Sequence, residues 1–175
     1  TTSTLNNGDV VDVIITTAAG CAGTSSAITM TVNPAITATI SSSDADNTIC
    51  AGSAVTFTAS PSGAGSYNFR VNGTSVVSSA SNTYTTSALT NGSVVDVIVT
   101  TAAGCSSTSA GIATTVNPLP VANLVSSDAD NIICAGTSVT FTAAPSGAAS
   151  YDFRVNGVST GASATRTYTT STLHN

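Results

Sequence analysis

Several residue types are missing or rare in this sequence. It contains no lysine, glutamate, glutamine or tryptophan, and only three basic and eight acidic side chains occur among its 175 residues. Because the strong helix formers other than alanine are absent or rare, the composition argues against a helical fold. A net charge of −5 without clustered basic residues excludes a surface that neutralises nucleic-acid phosphates. No run approaches the roughly 18 apolar residues of a membrane-spanning helix, so we expect no nucleic-acid partner and no membrane span.

The residues that dominate instead are threonine, serine, valine, alanine and glycine. β-Branched residues fit the pleated surface of a sheet, and glycine suits the tight turns between strands. Stretches that alternate apolar and polar residues are short and are separated by turn signals. The composition therefore predicts an all-β protein built from short strands.

An internal repeat of 84 residues organises the whole chain. Cys21 lies 84 residues before Cys105, and Cys50 lies 84 residues before Cys134. The segment NNGDVVDVIITTAAGC, which ends at Cys21, recurs without gaps as TNGSVVDVIVTTAAGC, which ends at Cys105. A period of this length indicates tandem copies of one module.

The tripeptide VNP marks the module boundaries. It occurs at residues 32–34 and 116–118, each time directly after a strand pattern that proline cannot continue. We therefore expect the C-terminal part of a preceding module at residues 1–34, a complete module at residues 35–117 and the N-terminal part of a following module at residues 118–175. A partial module leaves an apolar face and sheet edges open, which natural proteins avoid. We expect neighbours to complete both parts, either through continuation of the same polypeptide or through strands from another copy.

Alternation of apolar and polar residues predicts six or seven strands within the complete module. They are expected at residues 36–41, 54–59, 67–71, 74–77, 83–86, 94–101 and 112–116. Asn72-Gly73 is a strong hairpin signal, because both central residues of a type I′ turn need positive φ. This pattern fits an immunoglobulin-like (Ig-like) Greek-key β-sandwich, whereas a parallel α/β fold would need crossover helices.

The inward-facing positions of these strands define the expected core. They are Val55, Phe57, Tyr67, Phe69, Val71, Val95, Val97 and Val99. Arg70 and Asp96 face outward on strands that we expect to be neighbours, so they are either two unrelated surface charges or a cross-strand ion pair. The arginine recurs as Arg154 in the following module, where its aspartate would come from a neighbour at the position of Asp12. Either interpretation gives these residues a structural role.

Several motifs of the chain also resemble a known group of repeats. CAGTSVTFTA, Y-x-F-R-V-N-G, T-Y-T-T-S-x-L-x-N-G, V-V-D-V, G-C and the closing V-N-P are together similar to the tandem Ig-like or PKD-like repeats of very large bacterial surface proteins that use type IX secretion. Some members of that group have tryptophan where Phe69 and Phe153 stand here. Such repeats form stalk, adhesin or filament modules and are not known as catalytic units. The resemblance covers the whole chain and implies an exported structural protein.

The four cysteines, Cys21, Cys50, Cys105 and Cys134, are expected to form disulfides in an oxidising compartment. Their spacing does not fit a zinc site, and the only histidine, His174, has Asn6 and Thr90 as its counterparts in the two earlier periods. In an Ig-like Greek key, Cys50 precedes the second strand and Cys105 follows the sixth, which places them at opposite poles of a module. Two pairings stay open, Cys50 with Cys105 inside one module or Cys50 with the next module's counterpart of Cys21.

The acidic motif SDADN occurs once in each period. Its oxygen-bearing residues are Asp44, Asp46, Asn47, Asp128, Asp130 and Asn131. Two carboxylates and an amide within four residues could bind Ca²⁺, which prefers oxygen ligands. The alternative is an Asx-rich turn capped by its own side chains, and the chain has no glutamate to supply a bidentate ligand. Calcium is the one cofactor that the sequence leaves open.

The inventory of reactive residues fits no enzyme. A Ser/His/Asp triad needs a positioned histidine and a glycosidase needs two carboxylates across a cleft, but neither set recurs in both periods. We therefore expect a structural module of an extracellular filament or cell-surface adhesin stalk, assembled head-to-tail with neighbouring copies. The alternative is a carbohydrate- or surface-binding Ig-like module, which would need exposed aromatic residues such as Tyr84 or Tyr168 in a groove.

Overall fold

The computed structural model describes residues 4–173, and within that range the regular structure consists of β-strands. The described residues include no helix with the length and apolar character needed to cross a membrane. The chain divides into two compact units between Asn117 and Pro118. His174 lies outside the described residues.

Residues 4–33, the first part of the first unit, form two short antiparallel strand pairs. The strands are β1 (Val10–Val11), β2 (Ile14–Thr16), β3 (Ala22–Thr24) and β4 (Ile28–Thr29). β1 pairs with β4, and β2 pairs with β3. The turn between β2 and β3 closes where the Thr17 amide donates to the Cys21 carbonyl at 2.9 Å. Every residue of these strands is exposed, so this segment buries no core of its own.

Residues 35–117 form an Ig-like β-sandwich. Its strands are β5 (Thr39–Ser42), β6 (Thr48–Cys50), β7 (Val55–Ser60), β8 (Ser66–Val71), β9 (Thr74–Ser79), β10 (Thr83–Thr86), β11 (Val94–Thr100), β12 (Ser106–Thr108), β13 (Ile112–Ala113) and β14 (Thr115–Asn117). One sheet has the order β10-β7-β5, and the other has the order β12-β11-β8-β9 with β13 paired to the start of β11. β14 pairs with β6 in parallel. Two facing sheets with this strand order confirm the predicted fold class.

The β8–β9 hairpin sets the register of the second sheet. Asn72 and Gly73 have φ values of 52° and 77°, the positive values of a type I′ turn. The Asn72 side chain accepts the Val94 amide at 2.9 Å, and the Val94 carbonyl accepts the Asn72 amide at 2.8 Å. These two bonds join the end of β8 to the start of β11 and leave Arg70 directly opposite Asp96.

The core of the sandwich lies between the two sheets. Its buried side chains are Ala38, Ile49, Val55, Phe57, Ala59, Tyr67, Phe69, Leu89, Val95, Val97, Val99 and Val116. All of the core residues expected from the sequence belong to this set except Val71, which is half-buried against it. The Tyr67 hydroxyl donates to the Pro61 carbonyl at 2.8 Å and accepts the Ala64 amide at 3.0 Å. The polar end of this large buried side chain is therefore satisfied.

Two of the observed strands, β6 and β12, do not follow from the alternation pattern. Each has three residues and depends on a neighbour, since β6 pairs with β14 and β12 pairs with β11. The last predicted strand, residues 112–116, is divided at Thr114. This side chain is 2% exposed, and its hydroxyl donates to the Ser93 carbonyl at 2.8 Å. The inward-facing hydroxyl separates β13 from β14.

The second unit, which begins at Pro118, repeats only part of this architecture. Its strands are β15 (Asn123–Ser126), β16 (Val139–Ala144), β17 (Tyr151–Val155), β18 (Val158–Ser163) and β19 (Thr167–Thr170). The sheet β15-β16-β19 matches β5-β7-β10, whereas the second sheet consists of β17 and β18 within the described residues. Residues 132–134, which correspond to β6, form no strand. This unit therefore has one whole sheet and one partial sheet.

Candidate assembly surface

Arg70 and Asp96 form a bidentate ion pair across β8 and β11. Arg70 Nε lies 2.7 Å from Asp96 Oδ1, and Arg70 Nη2 lies 2.8 Å from Asp96 Oδ2. Their side chains are 25% and 19% exposed, so both are partly shielded from water. The hydrogen bond to Asp96 raises the pKa of the Arg70 guanidinium above its ordinary value. The pair adds a charge-assisted contact to the register of these two strands.

Arg154 and Asp12 occupy the same two repeat positions in the partial modules. Arg154 lies in β17, Asp12 lies between β1 and β2, and both residues are exposed. The second unit thus carries the arginine strand of the pair, and residues 4–33 carry the aspartate segment.

The second unit has an open apolar groove of about 890 Å³ where the complete module has its core. Its large apolar lining residues are Leu124, Phe141, Tyr151, Phe153, Tyr168 and Leu173. The residues 84 positions earlier are Ile40, Phe57, Tyr67, Phe69, Tyr84 and Leu89, and each belongs to the core of the complete module or packs against it. The groove is therefore the exposed half of a sandwich interior.

A row of exposed apolar residues in the first part of the chain corresponds to the other half of that interior. The row consists of Val11, Val13 and Ile15, which are 46%, 52% and 66% exposed. Their counterparts in β11 are Val95, Val97 and Val99, and each of these is 0% exposed. The same positions of the repeat are thus buried in the complete module and open to water in residues 4–33.

Cys50 lies at the C-terminal pole of the complete module. It is in parallel register with Asn117, and the neighbouring Val116 amide donates to the Asn91 side chain at 3.1 Å, just before β11 begins. Cys105 lies beyond the other end of β11, where its amide donates to the Thr101 hydroxyl at 3.1 Å.

The separation of these poles bears on the disulfide alternatives. The seven residues of β11 span about 20 Å, whereas the Cα atoms of a disulfide lie within about 7 Å. A Cys50–Cys105 disulfide inside the module therefore does not fit this fold. Cys21 and Cys134 are exposed, and Cys105 is half-buried. Pairing between modules stays a prediction.

The first SDADN segment forms a turn capped by its own side chains. Asp44 Oδ1 and Asp46 Oδ1 both accept the Thr48 amide at 3.0 Å. The Asp44 amide in turn donates to the Ser42 hydroxyl at 3.1 Å. Asn47 has a φ of 56°, a left-handed conformation that asparagine tolerates. These contacts are those of the Asx-rich turn.

The second SDADN segment forms a similar turn. Asp128 Oδ1 accepts the Asp130 amide at 3.3 Å, and Asp130 Oδ1 accepts the Ile132 amide at 3.0 Å. Asn131 again has a positive φ, 58°. Across residues 4–173, no group of three or more histidine, cysteine, aspartate or glutamate side chains is placed to hold a metal ion. Calcium binding at either turn stays one of the two alternatives that the sequence leaves open.

The two tyrosines that bear on the carbohydrate-binding alternative differ in their surroundings. Tyr84 packs against Phe57 and Phe69, with ring centroids 6.5 Å and 5.7 Å away. Tyr168 instead lines the open groove, where its ring stacks on Phe153 at a centroid distance of 5.6 Å. An aromatic platform is therefore present in the second unit and absent at the same position of the complete module.

No known protein family and no curated protein matches this chain. Among solved structures, it is similar to the fibronectin(III)-like modules of CbhA from Clostridium thermocellum. That similarity has 20% sequence identity and a TM-score of 0.43, and it covers 78% of this chain and 79% of the other. The assignment to the Ig-like β-sandwiches depends on the strand order and core of residues 35–117.

Proposed function

We propose that this chain is a structural repeat of an extracellular filament or cell-surface adhesin stalk, of the type IX-secreted kind that its motifs resemble. The observation that carries the proposal is the order of its parts. A complete sandwich at residues 35–117 is preceded and followed by parts of the same sandwich in one continuous 84-residue register. Repeats that present the same surfaces to each neighbour build linear assemblies.

The placement of the polar groups supports a structural role over a catalytic one. Arg70 and Asp96 neutralise each other, the Tyr67 hydroxyl is occupied by backbone groups, and the carboxylates of Asp44 and Asp46 cap a turn. An extracellular location is favoured by four cysteines at module ends, where oxidation could join neighbours.

The experiment that tests this proposal is immunolabelling of intact cells that produce the protein. Antibodies raised against residues 35–117 should bind at the cell surface or along extracellular fibres, with a periodic spacing of one module in electron micrographs. Labelling that appears only after the cells are broken open would overturn the extracellular assignment.

A carbohydrate- or surface-binding role is the second candidate, and the groove of the second unit favours it. The rings of Phe153 and Tyr168 stack in an open groove, and small-molecule sites are lined mainly by apolar and aromatic side chains of this kind. Binding of the full chain to a panel of oligosaccharides, abolished by Phe153→Ala and retained in Phe69→Leu, would support this role. A chain that binds no oligosaccharide in the panel, whether assembled or dispersed, would exclude it.

A further inference from the structure

We propose that residues 6–33 of one copy occupy the open groove of residues 118–175 in a second copy and complete its sandwich. The inference rests on the proposed function, because it specifies how neighbouring repeats join. The register is the one that β11, β12, β13 and β14 adopt against β8 and β6 in the complete module.

The apolar contacts follow from that register. β11 pairs with β8 so that Val97 faces Phe69 and Val99 faces Tyr67. Shifted by one period, Val13 of one copy lies opposite Phe153 of the next, and Ile15 lies opposite Tyr151. The exposed row of residues 11, 13 and 15 then covers the 890 Å³ groove. Apolar area that each copy exposes alone is removed from water, which is the main driving force for association.

The polar contact of the junction is an ion pair between copies. Asp96 faces Arg70 in the complete module, so Asp12 of one copy faces Arg154 of the next. Both residues are exposed in the single chain. The bidentate geometry of Arg70 and Asp96 indicates that the two strands present matching hydrogen-bond groups at this position. This contact makes the junction selective for one register.

The edge of the groove offers a third contact. In the complete module β14 covers β6 in parallel, with Val116 opposite Ile49. In the second unit the β6 counterpart forms no strand, and Ile133, the counterpart of buried Ile49, is only half-buried. Residues 31–33 of another copy carry the counterpart of β14 and would cover this edge. The pairing explains why residues 132–134 are irregular here although their sequence matches a strand of the complete module.

The occupant is a second copy because this chain carries both complementary surfaces. Residues 6–21 differ from residues 90–105, which fill the equivalent space in the complete module, at only a few positions. A surface that fits a different surface on an identical molecule makes a heterologous contact, and such contacts generate open linear chains.

Ala149 should pack less closely at the junction than its counterpart, Gly65, packs in the complete module. A Cβ atom at Gly65 would lie 3.0 Å from the Ala102 amide nitrogen and 3.1 Å from the Thr101 carbonyl carbon. The second unit has Ala149 at this position, facing the Thr17–Ala18 backbone of the incoming copy. That backbone must move by a few tenths of an ångström to accept the methyl group.

The test is a charge-exchange experiment on the full 175-residue chain, held in reductant so that disulfides cannot join copies. Asp12→Arg gives a chain with two arginines for the junction, and Arg154→Asp gives a chain with two aspartates. Sedimentation velocity should show wild-type species larger than 17.0 kDa. Each variant alone should associate about tenfold more weakly. Their equimolar mixture should recover wild-type association, because both kinds of junction then pair an arginine with an aspartate.

A second pair of variants tests the apolar contact. Val13→Asp places a charge at the counterpart of fully buried Val97 and should abolish association. Val10→Asp is the matched control, because its counterpart Val94 is still 39% exposed in the complete module. The control should associate like wild type. Hydrogen exchange of β11 should be the same in both variants, which shows that the complete module is folded.

Two results would overturn the inference. One is a wild-type chain that stays at 17.0 kDa at every concentration. The other is a wild-type chain that stays at 17.0 kDa and whose groove amides exchange faster after the Asp12→Arg substitution. That result would mean that residues 6–33 cover the groove of their own chain. Neither result would affect surface labelling of cells, so failure of this inference and failure of the proposed function are distinguishable.

Discussion

The hydroxyls of Thr56 and Thr85 lie 2.8 Å apart across β7 and β10, and those of Thr140 and Thr169 repeat this contact at 2.8 Å in the second unit. The sheet that contains these threonines is therefore the same in a complete and in a partial module. Its three strands come from the N-terminal two-thirds of the repeat and pair only with one another. Differences between the two units are concentrated in the other sheet.

The first prediction compares equivalent phenylalanines. Phe69→Ala should destabilise the complete module by about 3–5 kcal/mol, because it leaves a cavity in a fully buried core. Phe153→Ala should destabilise the second unit of a dispersed chain, meaning one not assembled with other copies, much less, because the Phe153 side chain is only half-buried there. Hydrogen exchange of β11 and β16 amides measures the two effects separately. Phe69→Leu, which keeps part of the volume, should show the same direction with a smaller loss. Equal losses at both sites in a dispersed chain would contradict the open groove.

The second prediction concerns Gly65. Gly65→Ala should destabilise the complete module by about 1–3 kcal/mol, because the added methyl group meets the backbone of Thr101 and Ala102 at 3.0–3.2 Å. Ala149→Gly is the matched control and should leave β16 exchange in the dispersed chain unchanged. In the assembled chain the same substitution should tighten the junction, measured as a lower dissociation constant. If the Gly65→Ala module is as stable as wild type, the backbone of the 101–105 turn can move to accept the methyl group without a measurable cost in stability.

The third prediction concerns the acidic turn. Asp46→Ala removes one of two acceptors of the Thr48 amide and should cost about 1 kcal/mol of stability. Asp46→Asn keeps an oxygen acceptor and should cost less. Because the carboxylates already cap the turn, we expect added Ca²⁺ to leave the melting temperature unchanged. A saturable rise in melting temperature with Ca²⁺, lost in Asp46→Asn, would establish the calcium site instead.

The fourth prediction concerns the cysteines. Native material on a denaturing gel without reductant should run as a ladder of covalent multimers that collapses to 17.0 kDa when reductant is added. Replacing Cys50 and its repeat counterpart Cys134 together with serine should abolish the ladder, because each supplies the Cys50-type thiol of one pairing between modules. A single 17.0 kDa band in both lanes would exclude disulfides between chains, and large species in both lanes would mean a longer polypeptide.

Local signals account for the part of the fold that was predictable. The alternation of Val55, Phe57 and Ala59, and of Val95, Val97 and Val99, marks the facing sheets, because the side-chain period of a strand is two. Asn72-Gly73 identifies its hairpin because it needs positive φ at two successive residues. Strand β10 has the predicted bounds, and β8 begins one residue earlier than expected.

Contacts between distant residues account for the part that was not predictable. Strand β6 is three residues long and is held by Val116, which follows Ile49 by 67 positions. Whether Arg70 and Asp96 meet depends on which strands are neighbours and in which register, so the sequence leaves two interpretations open. The sequence prediction did not include the groove residues. Adding 84 to the numbers of the predicted core residues Phe57, Tyr67 and Phe69 would have given Phe141, Tyr151 and Phe153.

In the stalk proposed above, the parallel pairing of β6 with β14 has a mechanical consequence. Tension along the chain enters the complete module at its N-terminal end and leaves at Asn117, so it pulls these two strands in opposite directions along their shared axis. The Thr115 amide donates to the Asn47 carbonyl at 2.8 Å, and the Asn117 carbonyl accepts the Ala51 amide at 2.8 Å, so these bonds lie across that axis. They are therefore loaded together in shear and cannot be opened one at a time from a free end.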